Sequence, residues 1–213
     1  MRTILPLGLR NRLAEMILDA FDHEEARRTL EALAAFCRSE ELGAGAAARL
    51  LDLGWFEAGS PGRVRLLGAQ RAHRDALGRR AIAALGALGA LDRAPADLLA
   101  RAARLADGGL YFEVHELLEP AWMRAEGDER LALQGLIQVA VALHHAEHDN
   151  RAGAVSLLGE GLAKLAAAGA ALPLDAAGWT RRLHEVLAAW RAGAPAPAAS
   201  GWPAPTEAAW PSS

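Results

Sequence analysis

The stretch "ERLALQGLIQVAVALHHAEH", residues 129–148, decides the fold expected for this chain. When the segment is drawn at 100° per residue, Leu, Ile, Val and Ala occupy every side of the helix. A helix that is apolar all round is typically buried at the centre of its domain. Its polar residues form one seam, which consists of Gln134, Gln138, His145 and His148. Buried amides need hydrogen-bond partners, so we predict a central helix whose polar seam meets polar groups on a neighbour.

The segment "YFEVHELLEPAW", residues 111–122, is the neighbour that best supplies such groups. At helical spacing one face carries Tyr111, Phe112, His115, Leu118, Glu119 and Trp122, which predicts a stripe facing the core. His115 and Glu119 are four residues apart and therefore close enough to touch. Glu116 flanks this stripe, and Glu113 is expected to point away from it. We predict that His115 and Glu119 are buried and meet Gln134, Gln138 and His145.

The spacing of Gly, Pro and Asp divides the chain into three parts. Residues 1–93 are predicted to form a helical unit, and residues 94–192 a bundle of about five helices with short loops. Residues 193–213 form a tail that carries five of the ten prolines, which excludes a regular helix there. The tail tryptophans, Trp202 and Trp210, are expected to dock on the body or on a partner. The predicted fold class is therefore all-α.

The first unit contains the one strand signal that we find. Trp55–Glu57 and Arg63–Leu67 flank the turn "AGSPG", residues 58–62, which predicts a β-hairpin. Helices followed by a hairpin weakly resemble a winged helix. Residues 63–80 hold six arginines against Asp75, and such a basic patch is one way to contact DNA. The favoured alternative is a solvated face, because 22 of the 23 basic residues of the chain are arginine.

The two helical segments of the second unit also carry a resemblance. The pattern Phe-Glu-x-His-Glu-x-x-Glu with a nearby Trp, then Gln-Gly-Leu-Ile-Gln, a His and an Asn before Gly-Ala, resembles the uncharacterised family catalogued as domain of unknown function 309. The matching positions are Phe112, Glu113, His115, Glu116, Glu119, Trp122, Gln134, Gly135, Leu136, Ile137, Gln138, His145, Asn150, Gly153 and Ala154. The resemblance spans about residues 98–168. It implies a small all-helical domain and no particular activity.

These residues define the candidate functional set. The polar cluster comprises Glu113, His115, Glu116, Glu119, Gln134, Gln138, His145 and Asn150. Within it His115, Glu119 and His145 offer imidazole and carboxylate ligands that suit Zn, Mn or Fe. The zinc-peptidase signature His-Glu-x-x-His is excluded because Glu119 stands in place of its second histidine. A separate i, i+4 pair, His144 and His148, could chelate a metal on its own, but the favoured interpretation is two partly exposed histidines near a helix end.

Three interpretations of the cluster remain open at this point. It could be a hydrogen-bonded network that fixes helix packing, a metal site, or a metal-free acid–base pair. The first is favoured, and it predicts a binding or interaction protein with a protein or small-molecule partner. The alternative is a metal-dependent, hydrolase-like enzyme that uses His115, Glu116, Glu119 and His145.

The composition predicts a soluble cytoplasmic protein. The net charge is −3, and Cys37 is the single cysteine, which excludes an internal disulfide and a cysteine-rich zinc site. The longest apolar run, Ala81–Leu91, is too short to span a bilayer. We therefore expect no membrane segment and no secretion signal.

Overall fold

A computed structural model describes residues 5–59, 63–89, 97–194 and 202–203. The chain forms two compact units, Met1–Ala94 and Pro95–Ser213. The described residues are mostly helical, with one two-stranded sheet, which confirms the predicted all-α class with a small hairpin.

The first unit packs helices around a short hairpin. Its elements are α1 (Leu7–Asp19), α2 (Glu24–Cys37), α3 (Ala44–Asp52), β1 (Phe56–Ala58), β2 (Val64–Leu66) and α4 (Arg74–Leu88). The strands are antiparallel, with Phe56 opposite Leu66 and Ala58 opposite Val64, so the predicted hairpin is confirmed. Helices α2 and α4 approach closely at Gly78, where an added Cβ would lie 2.6 Å from the Cβ of Cys37.

The second unit consists of five described α-helices joined by short loops. They are α5 (Leu98–Asp107), α6 (Tyr111–Arg124), α7 (Gly127–Glu147), α8 (Arg151–Ala168) and α9 (Ala177–Arg191). Side chains cap two of them: Asp97 accepts from the Ala100 N–H at 2.9 Å, and Asn150 accepts from the Gly153 N–H at 3.1 Å. Each cap satisfies a backbone donor that has no partner within its own helix.

Helix α7 is central because it packs on α6 along one side and on α8 along the other. The α7–α8 contact is very close. A Cβ added to Gly161 would lie 2.9 Å from the Gly135 carbonyl oxygen, and a Cβ added to Gly135 would lie 3.0 Å from the Gly161 oxygen. The two backbones therefore meet across reciprocal glycines, and larger residues at either position would push the helices apart.

Trp202 of the tail packs against the second unit. Trp202 is buried, and its ring centroid lies 5.0 Å from that of Trp179 on α9. The Trp202 backbone N–H donates to Asp107 Oδ1 at 3.3 Å. The other tail tryptophan, Trp210, lies outside the described residues.

One segment of the second unit, Arg151–Ala171, is long and apolar enough to cross a membrane by length and composition. The core helix of a soluble protein passes the same test. Of the apolar window in this segment, 33% is buried inside the bundle. Leu158 and Leu162 are among its buried residues.

Candidate metal centres on helices α6 and α7

Helix α6 buries a different face from the one that its aromatic residues predict. Val114 and Leu118 are fully buried, and so is Glu113, the one buried charged or polar residue that the described part of the chain contains. The prediction that Glu113 points away from the core is therefore wrong. The aliphatic residues, spaced by four, face the interior, while the aromatic residues of the predicted stripe, Tyr111, Phe112 and Trp122, lie half-buried at its flanks.

His115 and Glu119 are half-buried, which corrects the prediction that both are enclosed in the core. They converge with Glu116. Each of the three residues offers one ligand atom, and these atoms all lie within 4.8 Å of one another. His115 Nδ1 lies 3.1 Å from Glu116 Oε1, and about a quarter of each of these two side chains is exposed, 26% and 29%. We call His115, Glu116 and Glu119 the α6 cluster.

A second group of the same kind lies at the end of α7. His144, Glu147 and His148 also offer ligand atoms within 4.8 Å of one another, and all three are half-buried. The imidazole rings of His144 and His148 are 4.4 Å apart between centroids. We call these three residues the α7 cluster. Both histidines are partly exposed, as the sequence predicted. The sequence analysis missed Glu147, although the pattern His-x-x-Glu-His, the reverse of the peptidase spacing, places it beside them.

The ring of Phe112 lies close to both clusters. Its centroid is 6.1 Å from the His115 ring and 5.8 Å from the His144 ring. The two clusters therefore occupy one side of the α6–α7 pair, with an apolar ring beside each of them.

The remaining polar residues of the predicted set face α8. Gln138 Nε2 donates to Glu160 Oε2 at 2.9 Å, and Asn150 Nδ2 donates to His145 Nδ1 at 2.9 Å. Among the described residues, neither cluster includes His145. Consecutive residues are rotated by 100° on a helix, so His144 reaches Phe112 on α6 while His145 faces the start of α8. The structure thus separates His145 and Gln138 from His115 and Glu119, and Gln134 is half-buried on the same helix.

Trp122 and Arg130 contact each other at the end of α6. The guanidinium of Arg130 lies over its ring, 4.5 Å from the centroid. Arg130 Nη1 also donates to the carbonyl oxygens of Trp122 at 3.0 Å and Met123 at 3.2 Å. A cation that satisfies the last carbonyls of a helix stabilises its C-terminus. Arg130 therefore fixes the end of α6 against the start of α7, the two helices that carry the clusters.

The arginines of the first unit mostly have protein partners. Arg65 and Arg71 both approach Glu57, at 3.0 and 3.9 Å, and Arg74 donates to the Phe36 carbonyl at 2.9 Å. DNA binding through residues 63–80 stays a prediction.

Cys37 is the chain's only sulfur nucleophile, and its setting makes it inert. Burial raises the pKa of the Cys37 thiol from 9.0 to about 11, and the opposing effect of the nearby Arg74 is smaller. The thiol donates to the Arg74 carbonyl oxygen at 3.4 Å. Because the thiolate is the reactive and metal-binding form, the raised pKa disfavours Cys37 as a ligand or nucleophile near neutral pH.

Comparison with known proteins identifies one family. The sequence model of a domain of unknown function, DUF309, matches residues 99–157, which confirms the resemblance over that segment. The matched segment includes both clusters and the Asn150 cap. No curated protein and no solved structure gave a significant match. The chain is thus a helical protein with an uncharacterised domain, and the match itself assigns no activity.

Proposed function

We propose that this chain is a cytoplasmic binding protein that holds a divalent metal ion at the α6 cluster. The observation that carries the proposal is the convergence of His115, Glu116 and Glu119, whose ligand atoms lie within 4.8 Å of one another. Two of the ligands are carboxylates and one is an imidazole. Carboxylate oxygen suits harder ions and imidazole suits Zn and Fe, so the set fits Mn, Fe or Zn.

The position of the cluster supports binding rather than a purely structural network. The three side chains are half-buried, so a metal ion could enter from solvent without unfolding the bundle. In a fully buried network the same groups would interlock out of reach of solvent. With three protein ligands, a bound ion keeps positions for water or a small-molecule partner.

Elemental analysis of the purified full-length chain, followed by calorimetric titration with Mn²⁺, Fe²⁺ and Zn²⁺, tests the proposal. The variants Glu119→Gln and His115→Ala should lower the affinity of this site by at least about tenfold, because each removes a direct ligand. Glu185→Gln is the matched control, because Glu185 is an exposed helical glutamate on α9. Wild-type affinity in both cluster variants would refute the proposal.

A metal-dependent hydrolase is the second candidate function, and the open coordination positions favour it. A metal-bound water is acidic enough to supply hydroxide near neutral pH. His145 is not part of this version, since it faces α8. If the candidate is correct, the metal-loaded chain hydrolyses activated phosphate or carboxylate esters, and Glu119→Gln abolishes the activity. An equal rate in that variant would eliminate the enzyme candidate and leave metal binding standing.

A further inference from the structure

We propose that the α7 cluster is a second, separate metal site, selective for ions that favour nitrogen ligands, such as Zn²⁺, Ni²⁺ and Cu²⁺. This inference stands independently of the function proposed for the α6 cluster. His144, Glu147 and His148 occupy positions i, i+3 and i+4 at the end of α7, which places them on one side of the helix.

The ligand geometry of this site needs only small adjustments. The ligand atoms lie within 4.8 Å of one another. Ligands bound to one tetrahedral zinc ion at 2.0–2.1 Å are about 3.3 Å apart. A bound ion would therefore draw the three ligand atoms closer together. The His144 and His148 rings already lie 4.4 Å apart between centroids.

A hydrogen bond selects the tautomer of neutral His148 that leaves Nε2 available to a metal ion. His148 Nδ1 lies 2.8 Å from the His144 carbonyl oxygen, which can only accept. In neutral His148 the proton therefore sits on Nδ1, and Nε2 keeps its lone pair. Metal-binding histidines commonly donate their other ring N–H to a backbone carbonyl, which fixes the ring orientation.

The local electrostatics also favour a cation. The cluster occupies the C-terminus of α7, where the last carbonyls carry partial negative charge. Glu147 belongs to the cluster, and Asp149 follows directly in the turn that ends the helix. The helix end and the Glu147 carboxylate of the cluster both favour a cation at this position.

The two clusters differ in donor atoms, which predicts different metal preferences. The α7 cluster supplies two imidazoles and one carboxylate, whereas the α6 cluster supplies one imidazole and two carboxylates. Nitrogen-rich sites bind Cu²⁺, Ni²⁺ and Zn²⁺ well, whereas oxygen-rich sites suit Mn²⁺ better. Zn²⁺ should therefore fill both sites, while Mn²⁺ should distinguish the α6 cluster.

The test is a zinc titration of the full-length, chelator-treated chain, with stoichiometry read by elemental analysis and affinity by calorimetry. Wild-type protein should bind two zinc ions. His148→Ala and the more conservative Glu147→Gln should each weaken one of them by at least about tenfold. His184→Ala is the matched control, because His184 Nδ1 makes the same 2.8 Å contact with the Thr180 carbonyl and His184 belongs to neither cluster among the described residues.

The outcomes separate this inference from the function proposed for α6. Two zinc ions of unchanged affinity in His148→Ala and Glu147→Gln, as in His184→Ala, would overturn the α7 site. A single zinc ion lost only in His115→Ala would also overturn it, while supporting the α6 proposal. A single zinc ion lost only in the α7 variants would support the α7 site and refute the α6 proposal. Circular dichroism of each variant establishes that the helices remain folded.

Discussion

Acidic side chains have different neighbours in the two compact units. In the first unit, Arg49 Nε lies 2.6 Å from Glu25 Oε1, and that hydrogen bond lowers the pKa of Glu25. In the second unit, the Glu116 carboxylate of the α6 cluster lies 3.1 Å from His115 Nδ1 instead. An arginine is permanently charged and neutralises its partner, whereas a neutral imidazole leaves the carboxylate charge available to a cation. The number of acidic residues is therefore a poor guide to metal sites, and the identity of their neighbours is a better one.

The largest predicted effect concerns Cys37, the single cysteine of the chain. Because burial raises the pKa of the Cys37 thiol to about 11 from 9.0, the thiol stays protonated through the window in which an exposed cysteine ionises. At pH 8 the folded chain should be alkylated by iodoacetamide about a hundredfold more slowly than the denatured chain, as two pKa units require. The pH profile of the rate should have its midpoint about two units higher. Coincident profiles would show that the first unit offers a reactive thiolate after all.

The next effect concerns the helix contacts at glycine, which differ between the units. Gly78 faces the Cys37 side chain, whereas Gly161 faces the backbone carbonyl of Gly135. Gly161→Ala should lower the free energy of unfolding by about 1–3 kcal/mol, because neither backbone can move aside without repacking. Gly159→Ala is the control on the same helix, since its Cβ would meet the end of the Arg191 side chain at 3.4 Å and a Leu187 methyl group at 3.9 Å. Urea denaturation measures both, and equal stability would contradict the close α7–α8 contact.

The smallest effect is expected for the surface ion pair of the first unit. The Glu25 side chain is 67% exposed, and solvent screens its interaction with Arg49. Glu25→Gln should leave both the free energy of unfolding and metal binding essentially unaltered. A loss of metal on this substitution would break the distinction between the two units. Denaturation and metal analysis on the same preparation measure both quantities.

The sequence predicted the helices of the second unit well because its apolar pattern is long and strongly periodic. The predicted orientation of α6 about its own axis was wrong. The aromatic residues of α6 indicated the wrong buried face, so Glu113 was expected outside and His115 inside. Half-buried rings and aliphatic residues look alike in a periodicity count, and only packing against α5 and α7 distinguishes them.

The same limit explains the outcome for the candidate site. Adjacent histidines, His144 and His145, are indistinguishable by composition, yet they face different helices. The pattern predicted a polar region on α6 and α7, and His115, Glu116 and Glu119 come together on α6. Which partner each residue meets depends on the closeness of α7 and α8, and that closeness follows from a glycine pair twenty-six positions apart in sequence.

The docking of Trp202 also bears on how the chain folds. Its backbone contact with Asp107 joins residues 95 positions apart in sequence, whereas α6, α7 and α8 pack against their immediate neighbours along the chain. Local contacts form early, and closing a long loop costs entropy until the rest of the structure is in place. Seating of the Trp202 ring on Trp179 is therefore expected among the last events of folding. Indole fluorescence at that position would report the completion of the second unit, after its helices have formed.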